Sequence, residues 1–283
     1  MKNIEIQGIK FDVPTKYNEL SLKQLKKVTM LHINNTPENQ IDVLWYLLGL
    51  KWYSISDLKK WSVIRSLDAI WIHTLLSDKS LFGWIFATSN LTEYKIKSFR
   101  VGLVKYHGPV KSILNLNAAE ITFSYELFKL YSEHGKEEHL NSMVAILFRR
   151  KNPISWVKQF IYGYNGDIRL PLNSYTLEKR AEKFKKLPII TKTIIFLMFA
   201  GKWDEFQNME RNKLIFPKFE ELNKQKKTDP LIWQKIMMKM AESGVFGDLN
   251  NVEKMDKDRF FLAMVKNVEE YIEMKDKQQS TRK

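Results

Sequence analysis

The chain has 283 residues, 44% of them apolar, with eight Trp and seventeen Phe but no cysteine. That much core material excludes a disordered chain, and the lack of cysteine excludes disulfides, a thiolate nucleophile and a Cys-based zinc site. The formal charge of +14 at pH 7 favours an acidic partner, whether nucleic acid, anionic lipid or an acidic protein face.

The opening "MKNIEIQGIKF" lacks the apolar core of a secretory signal. Ile4 and Ile6, then Ile9, Phe11 and Val13, alternate on either side of Gln7-Gly8, which predicts a β-hairpin. Such a hairpin is marginal alone, so it must lie on the helical body or pair with another chain. Ser21 followed by Gln24 is a capping box, with Leu20 and Leu25 placed as its hydrophobic staple. Leu22, Leu25, Val28 and Leu31 continue at helical spacing.

Thr36-Pro37 opens a helix that Gly49 closes. Ser56 opens another, whose Leu58, Trp61, Ile64, Leu67, Asp68 and Trp71 trace one stripe. Gly108-Pro109 reads as a turn, and Asn117 with Glu120 opens a helix closed by Gly135. The segment "KEEHLNSMVAILFRRK" follows so closely that the two helices must be antiparallel neighbours. The run Ile194–Ala200 is too short to span a bilayer, which takes roughly 20 apolar residues, and it reads as a buried helix ending at Gly201. Asp229-Pro230 starts a helix that Gly244 ends, and a last helix runs near Val252 to Lys275.

The fold class is therefore all-α, a predominantly helical bundle with a small N-terminal β-hairpin. Residues 1–14 form the hairpin arm, 15–150 an N-terminal helical region, 151–175 an irregular loop, 176–275 a C-terminal helical region and 276–283 a flexible tail.

Chemical signatures are missing. His134 and His139 are five apart, not the four of a helical zinc pair. There is no phosphate-cradling glycine loop and no nucleophile elbow. Asp204-Glu205 and Glu220-Glu221 are adjacent pairs, which diverge on a helix. No catalytic residue, cofactor or metal site is expected, and the chain reads as non-enzymatic.

Two surface readings remain. Trp156, Phe160, Tyr162 and Tyr164 lie in the irregular segment near "RRK", where aromatics and Arg suit a protein interface. Asp167 and Arg169 in "NGDIRLPLN" are either an exposed pair for docking a partner or a local ion pair pinning the loop to the body. Alternatively, Lys95, Lys97, Arg100, Arg149, Arg150 and Lys151 contact phosphates of nucleic acid.

The ordered segments "YNELSLKQL", "LLGL", "KYHGPVKSILNLNAAEITFSYELF", "LNSMVAILFRRK", "NGDIRLPLN" and "KLPIITKTIIFLMFAGKW", between residues 11 and 203, resemble a family of Bacteroidetes phage and prophage proteins. That family is associated with virion or tail-morphogenesis gene clusters. The resemblance implies a phage structural or assembly protein, in the host cytoplasm during assembly or in the virion. Its implied partners are other phage structural or assembly proteins, with DNA as the alternative and no membrane. It carries over no active-site residues. The basic charge departs from that of a small acidic tail-assembly chaperone, which keeps a role facing packaged DNA in view.

Overall fold

The computed structural model describes residues 1–6, 8–50, 62, 67–78, 81–86, 91–110, 112–158, 160, 166–216 and 232–280. Among them helices dominate, beside two antiparallel two-stranded sheets. The chain divides into two compact units, residues 1–95 with 188–201, and residues 96–187 with 202–283. The division thus falls at 95/96, 187/188 and 201/202, and the 151–175 segment lies inside the second unit.

In the first unit, β1 (Lys2–Ile6) pairs with β2 (Ile9–Val13) in the register Ile4↔Phe11 and Ile6↔Ile9. Gly8, at φ +78°, supplies the left-handed turn residue. Ile4, Ile6, Phe11 and Val13 are all buried. The hairpin's apolar face is thus covered and not offered to another chain.

Helix α1 (Leu22–Ile33) has the full capping box. Ser21 Oγ accepts from the Gln24 N–H at 3.3 Å, and Gln24 Oε1 accepts from the Ser21 N–H at 2.9 Å. Leu20 and Leu25 are both buried. Helix α2 (Pro37–Leu47) packs on α1, with Gln24 Nε2 donating to the Tyr46 carbonyl and Lys27 paired with Asp42. The helix expected from Ser56 lies outside the described residues. Asp68 does not continue its stripe. It caps α3 (Ala69–Ser77), accepting from the Trp71 N–H at 2.6 Å, a role only a non-helical residue can fill.

Helix α8 (Ile189–Gln207) contains the apolar run, but Gly201 does not end it. The helix passes through Gly201, where the Leu91 backbone lies close against it. A Cβ there would fall inside the contact distance of the Leu91 carbonyl. Among the described residues, no helix is long and apolar enough to cross a membrane.

In the second unit, α4 (Ala118–His134) and α5 (Glu137–Leu147) form the expected antiparallel pair. Gly135 takes the left-handed conformation at the α4 C-terminus. A second hairpin was not foreseen: β3 (Ser98–Val101) pairs with β4 (Val104–His107) around Gly102-Leu103. It is held by stacking, since Phe99 meets Phe148 at 4.8 Å and Phe184 at 5.2 Å, and Tyr106 meets Phe184 at 4.8 Å. Phe184 ends α7 (Ser174–Phe184), which packs on α5. Elsewhere Trp203 stacks on Tyr125 at 4.3 Å and gathers Phe206, Phe216, Trp233 and Phe261 around it.

The expected final helix is broken. Beyond α9 (Ile232–Glu242), Asp248 caps α10 (Leu249–Lys254), and α11 (Lys257–Ser280) begins afresh. At the break Met255 accepts from the Ala118 N–H at 2.8 Å, so the backbone there serves the start of α4 instead of a continuing helix. Asp256 caps the new start by accepting from the Asp258 N–H at 2.8 Å.

Gly201→Ala tests the close approach. In an unhindered helix the change stabilises by roughly 0.5–1 kcal/mol. Against the Leu91 backbone we expect a loss of about 1–3 kcal/mol, read as a lower urea midpoint at constant m-value.

Candidate functional site

Beyond α5 the chain straightens. His107 and Arg149 exchange both backbone hydrogen bonds, at 2.8 and 3.0 Å. The Leu170 N–H then donates to the Arg150 carbonyl at 2.9 Å, and the Asn152 N–H to the Ile168 carbonyl at 2.7 Å. Residues 149–152 are therefore clamped between the end of β4 and residues 168–170. The clamp closes the base of an excursion covering residues 153–167.

Charge is buried at that base. Glu120, in the first turn of α4, is 3% exposed. Its Oε1 lies 2.5 Å from Arg149 Nη2, and its Oε2 accepts from Arg169 Nη2 at 2.9 Å. Asp167 completes the ring, accepting from Arg169 Nε at 2.7 Å and Nη2 at 2.8 Å. Burial alone raises the Asp167 carboxyl, but the hydrogen bonds and charge of Arg169 outweigh it and hold the group below its ordinary range. For Arg149 burial dominates and lowers the pKa, with Glu120 opposing and Arg169 adding to the fall.

The same cations finish α5. Arg169 Nη1 donates to the Leu147 carbonyl and Arg180 Nε to the Ala145 carbonyl, both at 2.7 Å. A helix C-terminus leaves these acceptors open and carries partial negative charge, so guanidiniums suit it.

Above the base, Asn152 turns the chain. Its side chain accepts from the Ile154 N–H at 3.1 Å, and its carbonyl accepts from the Ser155 N–H at 3.0 Å. Asn152 and Ser155 are buried, and the short α6 (Ser155–Lys158) presents Trp156 and Val157 outward. Trp156 is 63% exposed and Phe160 84%, with Ile154 and Val157 also at the surface.

The residues singled out in the sequence are thus separated. Trp156 and Phe160 stand on the surface, whereas Tyr162 and Tyr164 lie outside the described residues. Arg169 is buried, so the docking role for the Asp167–Arg169 pair is corrected: it is the ion pair that pins the loop base. In the nucleic-acid set, Arg149 is 1% exposed and engaged with Glu120, which removes it from any phosphate-contacting surface. Lys95 is spent on Glu93 and the Asn18 carbonyl. Lys97, Arg100, Arg150 and Lys151 are exposed. Glu120, Arg180, Ile154 and Val157 had not been identified. For Glu120 the only sequence signal was its place three residues after Asn117, where its own N–H does donate to the Asn117 side chain.

Among the described residues no group of three metal-ligating side chains occurs. A groove of about 770 Å³ runs between α9 and α11, floored by Met240, Phe246 and Met264. Glu270 is the one carboxylate among its described lining residues, and no histidine joins it, so no acid/base pair converges there. No protein family, curated protein or solved structure matches this chain.

Glu120→Gln tests the base. It leaves two buried guanidiniums undercompensated, and the expected cost is about 3–5 kcal/mol, measured by urea unfolding. A cost below about 1 kcal/mol, the level of a surface pair, would show that the network is not the clamp described.

Proposed function

We propose that the chain is a non-enzymatic structural or assembly protein of phage particles, working by protein–protein contact through the 153–167 excursion. One observation carries this reading. Ile154, Trp156, Val157 and Phe160 are solvent-exposed on a base fixed by buried ion pairs. Exposed apolar side chains gathered in one place mark interaction sites, and Trp is the residue type most enriched at interface hot spots. Pre-ordering the base reduces the entropy lost when a partner docks. The resemblance of the sequence to phage morphogenesis proteins supports a virion or tail component as the partner.

Trp156→Ala with Phe160→Ala tests the reading. Binding to a virion or tail protein that co-purifies with the chain should weaken by about 30-fold or more. The melting temperature should hold, because both side chains are exposed. Unchanged affinity would reject the tip as the anchor.

A second reading, contact with packaged DNA, has its own support. Lys97, Arg100, Lys105, Arg150 and Lys151 are exposed at the start of the β3–β4 hairpin, on it and on the segment paired to its end. Two of them, Arg100 and Lys105, face each other across the strands, an arrangement of like charges that a phosphate would relieve. Duplex binding should fall with a log–log salt slope of about −0.9 per phosphate contacted. Arg150→Gln with Lys151→Gln should flatten that slope by roughly two contacts. Absence of binding at about 50 mM salt, where such contacts are strongest, removes this reading.

A further inference from the structure

The guanidiniums around Glu120 differ in how their donors are used. Arg169 commits all three nitrogens, to Asp167, Glu120 and the Leu147 carbonyl. Arg149 meets Glu120 through Nη2 alone, and its Nε and Nη1 are buried with no hydrogen-bond acceptor among the described residues. Arg180 reaches the Ala145 carbonyl through Nε and, at 3.5 Å, Thr176 Oγ1 through Nη1, while its Nη2 is likewise buried without an acceptor.

The nearby anionic atoms are already taken. Both Glu120 oxygens are engaged by Arg149 and Arg169, and both Asp167 oxygens by Arg169. The helix-terminal carbonyls of Ala145 and Leu147 each hold a donor. Arg149 and Arg169 share the two carboxylates, and Arg180 adds a third guanidinium at the same end of α5 with no carboxylate paired to it among the described contacts. Burial and then the Arg149 charge bring Arg180 down to about 10. The field stays positive nearer solvent, where burial and then the charges of Lys105 and Lys151 depress His107, the residue paired through its backbone with Arg149. Arg180 is only half-buried, while the Nη2 it leaves unpaired is covered.

We propose that Arg149 and Arg180 form a binding site for a small inorganic oxyanion, phosphate or sulfate, held by their uncommitted N–H groups. A tetrahedral oxyanion offers the acceptors that planar guanidinium forks match best. It also neutralises the excess positive charge of the cluster. This site is independent of the docking role of the excursion, since Arg149 lies beneath it.

The full chain is titrated with sodium phosphate at ionic strength held constant with sodium chloride, following thermal unfolding and calorimetric binding. We expect one site per chain and a saturating rise in melting temperature on the order of 5 °C at a hundredfold excess over Kd. Arg180→Gln should abolish the rise, and Arg180→Lys, which keeps charge but loses the fork, should weaken binding at least about tenfold. Arg211→Gln, which removes an exposed cation paired with Asp258, should respond like the parent chain. A phosphate response no greater than that of chloride, or one equal in Arg180→Gln and the parent, overturns the proposal.

Discussion

One carboxylate held between two guanidiniums organises the second unit. Glu120 arrives on the first turn of α4, Arg149 on the strand-like exit from α5, and Arg169 on the returning limb of the excursion. Desolvating such groups costs several kcal/mol per ion, and their attraction recovers that only when the geometry is good. Apolar residues of equal volume would often hold the fold as well. What they would lack is direction. Guanidinium forks bond along fixed vectors, so three segments distant in sequence meet in one register.

That register decides what the surface displays. Along the segment paired on both sides, the side chains of Phe148 and Arg149 are buried and those of Arg150 and Lys151 exposed. Because Asn152 and Ser155 are buried in the turn, Ile154, Trp156 and Val157 have nowhere to go but solvent. The apolar tip is thus a by-product of the polar base, and the docking and DNA-contact readings draw on opposite ends of the same short stretch. Both depend on Glu120, which touches neither surface.

Much of the helical frame was readable from local chemistry. The caps at Ser21, Thr36 and Asn117 and the left-handed Gly135 all act within a few residues, so their spacing alone announces them. The β3–β4 hairpin was missed because its strands have four residues each and its stability comes from Phe148 and Phe184, far along the chain. Asp68 and Asp256 looked like helix members, yet each caps a new helix. The site was less legible. Glu120 is indistinguishable in sequence from an ordinary first-turn acid, since the Arg169 it meets is 49 residues away. Long-range electrostatics leaves no periodic trace, and an apolar residue forced outward by its neighbours looks like any other.

The clamp at 150–152 and 168–170 has a corollary for chain length. The described bonds that fix it are made by residues 149–155 and 167–170, at the two ends of the excursion. Lengthening such a segment carries a small entropic cost, about 0.6 kcal/mol for each doubling. A change of length between those ends is therefore one such a clamp can absorb at little cost, with the bonds at its two limbs left in register.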